Sequence, residues 1–391
     1  MKYDFDEIID RRVTDSIKWD VSDGELPMWV ADMDFRAAPS VIDALKKRME
    51  HGVFGYSDVT DEWYDAYINW WRVRHGLEME RDGLIFCTGV VPAISSIVRK
   101  LTTPNENVVI MTPVYNIFFN SIINNGCRVI ESPLAYDGEN YTVDLADLES
   151  KLADPQTSLM ILCNPQNPVG KIWDRATLAE IGRLAKKHRV TVISDEIHCD
   201  ITEPNKGYIP FASVSDECRD NSVTCIAPTK AFNLAGMQSA AVYVPEPFLR
   251  HKVWRGLNTD EVAEPNSFAC AIAVAAFNEG GEWLDEMREY VFANRRAVAD
   301  FVRREIPQLK VVDGDATYLV WIDANDLLAN HPISGSFAGY VRRTTGLFLS
   351  KGESYGSSGA GFLRMNVACP RVYVEDGLAR LKKAVDLLSA E

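Results

Sequence analysis

The segment from residue 84 to residue 244 alternates short apolar runs with longer amphipathic ones. The apolar runs occupy residues 84–88, 107–112, 128–132, 158–163, 190–194, 222–227 and 240–244. Between two of these runs, the apolar side chains of residues 174–189 recur at helical spacing, which predicts a helix. One face of this helix would carry Leu178, Ile181, Leu184, Ala185 and His188. Strands separated by helices are typical of a mostly parallel sheet with helices on both faces. The pattern predicts an α/β fold.

The C-terminal third has a different pattern. Residues 282–306 are amphipathic over one long helix or two in series, residues 309–323 resemble two strands, and residues 371–388 resemble a closing helix. This order predicts a smaller α+β domain. We therefore expect an N-terminal segment (residues 1–45) that packs with the small domain, a large domain (46–285) and a small C-terminal domain (286–391).

Charge and cysteine content exclude several classes of protein. The 391 residues carry a formal net charge of −15, from 41 Lys and Arg against 56 Asp and Glu. Such a surface repels phosphate backbones, so we expect no nucleic-acid partner. Eight cysteines without a CxxC pair indicate free thiols in a reducing compartment. No apolar signal core begins the sequence and no run reaches the length of a membrane span, so we expect a cytoplasmic protein without a membrane partner.

Two other kinds of site lack support in the sequence. The six histidines show neither HxxxH nor HExxH spacing, which predicts that there is no metal site. GESYG, residues 352–356, matches the G-x-S-x-G turn of serine hydrolases. That turn needs a following helix and a later histidine. A loop follows here and no histidine comes after His331, so we interpret the match as accidental.

Residues suited to a ligand follow five of the apolar runs. After the first run, Gly89 leads into a helix with an early proline, which could present backbone N–H groups to a phosphate. Tyr115 follows the second run and could stack on a flat ring. Asn164 and Asn167 follow residues 158–163 in a turn rigidified by prolines. Each feature has a structural alternative, because most such turns bind nothing and an aromatic side chain often only fills a core.

The remaining two runs end in charged residues. Asp195 follows residues 190–194, with His198 three residues later, and Lys230 follows residues 222–227 in the small, apolar segment APTKAFNLAGMQ. A partly desolvated carboxylate needs a cationic partner, and a buried ammonium must be paired or lose its proton. Asp195 could instead cap a helix. In parallel sheets, however, all five strand ends meet at the edge where ligands bind.

Together these residues describe a pocket for a phosphorylated, nitrogen-containing aromatic ring with a carbonyl that an amine can attack. That description fits pyridoxal 5′-phosphate (PLP). PLP chemistry requires a lysine to bond the carbonyl, a carboxylate to keep the ring nitrogen protonated and an anchor for the phosphate.

The whole chain resembles a fold-type I PLP enzyme. Four segments make it similar to the MalY/PatB group of cystathionine β-lyases, or C–S lyases, which are related to class I/II aminotransferases: LPMWVADMDF, CNPQNPVGKIW, SDEIHCDI and FLRMNVACPR. The resemblance implies a large domain with a mostly parallel sheet flanked by helices, a smaller α+β domain, and a homodimer whose active sites lie at the interface.

The resemblance also implies roles for individual residues. Lys230 would bond the cofactor covalently and later shuttle protons, and Arg364 would bind the substrate carboxylate. Asp195 would pair with the ring nitrogen. The other cofactor contacts would come from Gly89, Val90, Val91, Tyr115, Asn167, His198 and Thr229, and from Tyr56 of the neighbouring subunit.

Two positions depart from the aminotransferase pattern. Many relatives carry arginine eight residues after the lysine, where it binds phosphate, and this chain has Gln238 there. Many also carry serine at the position of Ala227. The phosphate would therefore be held with less positive charge.

The implied activity is β-elimination on a sulfur amino acid such as L-cystathionine or L-cysteine, which yields pyruvate, ammonia and a thiol. Two alternatives remain open at this point. An aminotransferase shares the early chemistry, and a PLP-binding regulatory protein could keep the fold.

Overall fold

The computed structural model describes residues 1–390 and contains thirteen α-helices in that range. They are α1 (Pro39–His51), α2 (Asp61–His75), α3 (Val90–Leu101), α4 (Ile117–Ile123), α5 (Leu145–Leu152), α6 (Arg175–Lys187), α7 (Asp216–Asp220), α8 (Pro247–Thr259), α9 (Ala269–Glu279), α10 (Gly281–Glu305), α11 (Asn325–Asn330), α12 (Phe337–Thr345) and α13 (Arg371–Ala390). The long amphipathic segment near residue 290 is thus a single helix.

The same residues form fifteen strands. They are β1 (Leu26–Pro27), β2 (Leu84–Cys87), β3 (Asn107–Ile110), β4 (Arg128–Glu131), β5 (Ala135–Tyr136), β6 (Tyr141–Thr142), β7 (Thr157–Cys163), β8 (Thr191–Asp195), β9 (Ser222–Ile226), β10 (Ala240–Tyr243), β11 (Lys310–Val311), β12 (Leu319–Asp323), β13 (Leu347–Phe348), β14 (Ser350–Lys351) and β15 (Phe362–Asn366). All seven strands predicted between residues 84 and 244 are present.

The large sheet has the order β2-β10-β9-β8-β7-β3-β4. Strand β10 runs antiparallel to both of its neighbours, and the other pairings are parallel. Strand β2 therefore runs in the same direction as the other five, and the carboxyl ends of β2, β3, β7, β8 and β9 lie at one edge. The predicted mostly parallel sheet is confirmed.

Helices cover both faces of this sheet because its strands alternate apolar side chains between the two sides. In β3, Val108 and Ile110 pack into a cluster with residues of α3, α4 and α8. Val109, between them, packs on the opposite face with residues of α5 and α6. Helix α6 buries the predicted face except for His188, which follows the helix as its C-cap and is only partly buried. Its N-cap, Asp174, accepts a hydrogen bond of 2.8 Å from the backbone of Thr177.

A second sheet of order β11-β12-β15-β14 lies in the C-terminal part. It is antiparallel throughout, and its register places Arg364 opposite both Trp321 and Ser350. The N-terminal segment joins this part of the molecule, since β1 pairs in parallel with β13. The boundaries at residues 45 and 285 stay a prediction. None of the helices within residues 1–390 has the length and apolar character needed to cross a membrane.

Candidate active site

A cavity of about 680 Å³ opens at the edge where the parallel strands end. Lys230, from the loop after β9, and Tyr115, from the loop after β3, line it together with Arg364 of β15. Asp195, Asn167 and His198 are almost completely buried, with about 3% of each side chain exposed. The fold thus brings strand-end residues of the large sheet next to an arginine of the small sheet.

Lys230 lies in a largely desolvated position. Its Nζ donates a hydrogen bond of 2.6 Å to the carbonyl oxygen of Ala31. Burial lowers the pKa of the amine to about 8, and the positive charge of Arg364 acts in the same direction against the opposing effect of Asp32 and Asp195. An amine with this pKa is half deprotonated near pH 8, far below the usual range of a lysine, and the deprotonated form is the one that acts as a nucleophile or base.

Asp195 ends β8, in register with Cys163 of β7 and Cys225 of β9. One carboxylate oxygen accepts a hydrogen bond of 3.1 Å from the backbone N–H of Ile197. Burial raises the pKa of this carboxyl to about 7, and the nearby charge of Lys230 opposes the rise only in part. A protonated nitrogen placed against the second oxygen would stabilise the ionised form.

His198 is an uncharged imidazole at neutral pH. Burial lowers its pKa to about 3, and the charges of Lys230 and Arg364 contribute to the lowering. Its Nδ1 is buried and has no hydrogen-bond partner within residues 1–390. Such an atom is costly unless a ligand group satisfies it.

Arg364 is held by neutral groups, and no carboxylate within residues 1–390 forms an ion pair with it. Its Nη2 donates to the carbonyl oxygen of Trp29 at 2.9 Å and to Ser350 Oγ at 3.4 Å, and its Nη1 donates to Asn167 Oδ1 at 3.3 Å. The guanidinium lies 5.0 Å from the ring centre of Tyr355. A buried guanidinium without a counterion is suited to binding the carboxylate of a ligand.

The N-terminus of α3 offers backbone donors. Gly89 precedes the helix, no side chain in the described range 1–390 caps it, and the N–H groups of Val90 and Val91 lie in its first turn. Burial raises the pKa of Tyr115 to about 12, so this phenol stays neutral. Thr229 is buried beside Lys230.

Of the predicted site residues, Lys230, Tyr115 and Arg364 line the cavity, whereas Tyr56 and Gln238 do not and are exposed. Tyr56 is fully exposed in the segment between α1 and α2. Gln238 is exposed and adopts a left-handed backbone conformation with φ 53°. The GESYG match lies in a 3₁₀ turn followed by a second such turn and then β15, which agrees with its interpretation as accidental.

Several lining residues were missed because they follow no strand of the large sheet. Trp29 and Ala31 contribute backbone carbonyls, and Ser350 and Tyr355 contact Arg364. The tryptophan and alanine lie in LPMWVADMDF, a segment whose only signal of a site is its resemblance to the MalY/PatB group.

One cluster of potential metal ligands lies outside the cavity, and hydrogen bonds within the protein explain it. His75, Cys199 and Asp200 place their ligand atoms within 4.8 Å of one another. The Asp200 carboxylate already accepts hydrogen bonds from Trp70 Nε1 at 3.0 and 3.2 Å and contacts His75 Nε2 at 2.9 Å. The expected absence of a metal stays a prediction.

The residues around the cavity fit PLP. The second oxygen of Asp195 suits the ring nitrogen, His198 Nδ1 suits a ring substituent, and the free N–H groups of α3 suit the phosphate. A mostly parallel sheet with these groups at its carboxyl edge defines a fold-type I PLP enzyme.

Residues 27–381 match the family described as aminotransferase class I and II, and the chain belongs to this family. It is 39% identical to cystathionine beta-lyase PatB of Bacillus subtilis (strain 168), across 97% of this chain and 99% of PatB. It is 32% identical to protein MalY of Escherichia coli (strain K12), across 98% of this chain and 99% of MalY. Cystalysin of Treponema denticola, whose crystal structure contains pyridoxal 5′-phosphate, superposes with a TM-score of 0.94 at 32% identity, covering 99% of this chain and 100% of cystalysin.

Proposed function

We propose that this chain is a PLP-dependent carbon–sulfur lyase that cleaves L-cystathionine or a related S-substituted amino acid. One observation carries the proposal: the chain matches a cystathionine β-lyase over nearly the whole length of both proteins at 39% identity. The cavity supports it, since Lys230 and Arg364 line the same space and can act on one amino acid.

Cofactor binding would use groups from five strand ends. Lys230 would hold PLP covalently, and Asp195 would face the ring nitrogen. Asn167 and His198 would contact the ring hydroxyl, and Tyr115 would stack on the ring. The phosphate would be bound by Gly89, Val90, Val91 and Thr229, and by Tyr56 of the partner subunit.

Substrate binding would begin at Arg364, whose guanidinium takes the α-carboxylate and thereby orients the α-carbon. PLP, when bound, withdraws electrons from that carbon. Lys230 Nζ, whose pKa burial lowers to about 8, would accept the α-proton. Asp195 would stay ionised opposite the ring nitrogen. Asn167 would hold Arg364 in place through their hydrogen bond.

The net reaction adds one water and breaks the bond between the β-carbon and sulfur. An S-substituted cysteine and water give pyruvate, ammonium and the free thiol, with no change in overall oxidation state. L-cystathionine would release homocysteine, and L-cysteine would release hydrogen sulfide.

The test is to incubate the PLP-loaded protein with L-cystathionine, without any 2-oxo acid, and to measure pyruvate and free thiol. We expect both in equal amounts. Turnover that requires a 2-oxo acid acceptor would identify an aminotransferase instead. A protein that binds PLP but catalyses neither elimination nor transamination would support a regulatory role.

We also propose a cytoplasmic homodimer. All eight cysteines are free and seven are buried, which suits a reducing compartment. Val53, Phe54 and Tyr56 are exposed on one segment, and a second subunit would cover them. A dimer would also bring Tyr56 to a neighbouring cavity. The acidic surface supports the expected absence of nucleic-acid partners.

A further inference from the structure

The charges that line the active-site cavity are all positive. Lys230, Arg342, Lys351 and Arg364 line it, and within residues 1–390 no aspartate or glutamate does, although Asp195 acts on Lys230 and Glu25 pairs with Arg342 from behind the lining. The whole chain has a net charge of −15, so this excess is local. Of these four cations, the proposed lyase chemistry uses Lys230 and Arg364. It assigns no role to Arg342 and Lys351.

The two remaining cations lie at the outer end of the cavity. Arg364 is about 5% exposed, whereas the Arg342 side chain is 37% exposed and Lys351 is exposed at the surface. Arg342 forms a two-pronged ion pair with Glu25 at 2.6 and 2.8 Å. The backbone of Lys351 pairs with β15, but its ammonium has no hydrogen bond or ion pair with any residue in the range 1–390, so its charge is available to a ligand.

An aromatic wall joins the inner and outer ends. Phe348 stacks on Trp29 with ring centres 4.8 Å apart and planes 14° from parallel. The guanidinium of Arg342 lies 3.7 Å from the centre of Phe348 on this wall. The Trp29 carbonyl oxygen accepts the hydrogen bond from Arg364. The wall therefore runs from the guanidinium that would bind the α-carboxylate to the outer cations, and a thioether packs well against aromatic rings.

We propose that the outer end, formed by Lys351 and Arg342, binds a second carboxylate on the sulfur substituent, which makes the enzyme selective for S-substituted cysteines with an acidic end group. The inference rests on the proposed lyase function and specifies its substrate class. L-cystathionine carries such a carboxylate. A substituent that ends only in an ammonium is disfavoured, because no acidic side chain from the described part of the chain lines the cavity.

Three substrates of similar size test the charge preference. They are the S-(2-carboxyethyl), S-(2-carbamoylethyl) and S-(2-aminoethyl) derivatives of L-cysteine. We expect kcat/KM for the acid to exceed that for the neutral amide about fivefold, because exposed ion pairs are individually weak. The advantage should shrink as salt rises from 0.05 to 0.5 M. Equal values for the acid and the amide, or a preference for the amine, would overturn the proposal.

Variants of Lys351 locate the preference. Lys351→Met should lower the acid-to-amide ratio about threefold and Lys351→Glu about tenfold, while Lys351→Arg retains it. Lys186→Met is a matched control, since Lys186 is exposed on α6 and lines no part of the cavity. The ratio compares two substrates on one protein, so a general loss of folding cancels. A ratio unchanged in Lys351→Glu contradicts the assignment.

A binding measurement separates this inference from the lyase proposal. Calorimetry with the PLP-loaded protein should give adipate, with two carboxylates, a lower Kd than hexanoate, with one, and Lys351→Met should remove the difference. If no cysteine derivative yields pyruvate and thiol, the lyase proposal fails, while the adipate preference still reports on the outer cations. If elimination proceeds and neither the substrate ratio nor the Kd depends on Lys351, the inference alone fails.

Discussion

Lys230 Nζ donates its 2.6 Å hydrogen bond to the carbonyl oxygen of Ala31, although 199 positions separate the two residues. The hydroxyl of Tyr318 donates to the same oxygen at 3.0 Å. Two residues earlier, the Trp29 carbonyl oxygen accepts from Arg364. The N-terminal segment therefore positions both cations that the proposed mechanism uses.

The amine of Lys230 should set the pH dependence of turnover. Its pKa is lowered to about 8, and an amine accepts a proton only when it is itself deprotonated. We expect kcat at saturating substrate to rise about tenfold per pH unit below pH 8 and to level off above it. Lys230→Ala should reduce turnover by at least about 1000-fold and prevent covalent attachment of PLP after borohydride reduction, measured by mass spectrometry. A flat profile from pH 6 to 8 would argue against Lys230 as the base.

Replacement of Arg364 should mainly weaken substrate binding. Arg364→Lys keeps the positive charge but loses the two-pronged contact, so we expect KM to rise about tenfold, and about 100-fold for Arg364→Gln. Steady-state kinetics with L-cystathionine measure both effects. An unchanged KM in Arg364→Gln would show that the α-carboxylate binds elsewhere.

Asp195→Asn should change how the stability of the cofactor-free protein depends on pH. The folded-state pKa of Asp195 is raised to about 7, above the value near 3.9 expected for an unfolded chain. Between these values the folded protein holds a proton that the unfolded chain releases, so the contribution of Asp195 falls as pH rises. The free energy of unfolding of Asp195→Asn, relative to that of the wild type, should therefore increase by on the order of 3 kcal/mol from pH 4 to pH 8. Urea unfolding measures the difference, and a pH-independent difference would mean that the carboxyl titrates normally.

Asp195→Asn should impair the loaded enzyme even where it stabilises the empty one. The amide has no charge with which to keep the ring nitrogen protonated, so we expect kcat to fall by at least about 100-fold. Asp195→Glu keeps the charge and serves as the comparison. Full activity of Asp195→Asn would exclude the proposed pairing.

Gln238→Arg should strengthen PLP binding. Gln238 is exposed, eight residues after Lys230, at the position where the resemblance to aminotransferases implies a phosphate-binding arginine. A charged contact to phosphate should lower the Kd for PLP about fivefold, whereas the uncharged Gln238→Met should leave it nearly unchanged. Equilibrium dialysis measures both. Equal affinities of the two variants would show that this side chain does not reach the phosphate.

Tyr56 should act on the cavity of the other subunit. A mixed dimer pairs one Lys230→Ala subunit with one Tyr56→Phe subunit. The active site of the Tyr56→Phe subunit then has its own intact Lys230 and an intact Tyr56 from the partner subunit. We expect that site to bind PLP as tightly as the wild type, although Tyr56→Phe alone binds it about tenfold more weakly. If the mixed dimer has only weak sites, Tyr56 serves its own subunit.

Local patterns in the sequence were sufficient for the elements and for much of the site. Apolar runs bounded by turn residues predicted the positions of β2, β7 and β9 to within two residues, because side-chain spacing reflects which faces are buried. The end of one run marked Asp195 and the end of another marked Lys230. Parallel pairing was inferred from the intervening helices, and it alone implied that these ends meet.

Long-range packing decided the rest. No local signal distinguishes β10, which runs antiparallel, from its parallel neighbours. Nor does any local signal place Ala31 beside Tyr318, 287 positions away, or set Phe348 against Trp29 to form the wall of the cavity. The sequence by itself determined the strands, the helices and the chemistry at the strand ends, since these depend on neighbouring residues. Only the tertiary structure decided the outer end of the cavity, because its charges come from segments that meet through packing of the whole chain.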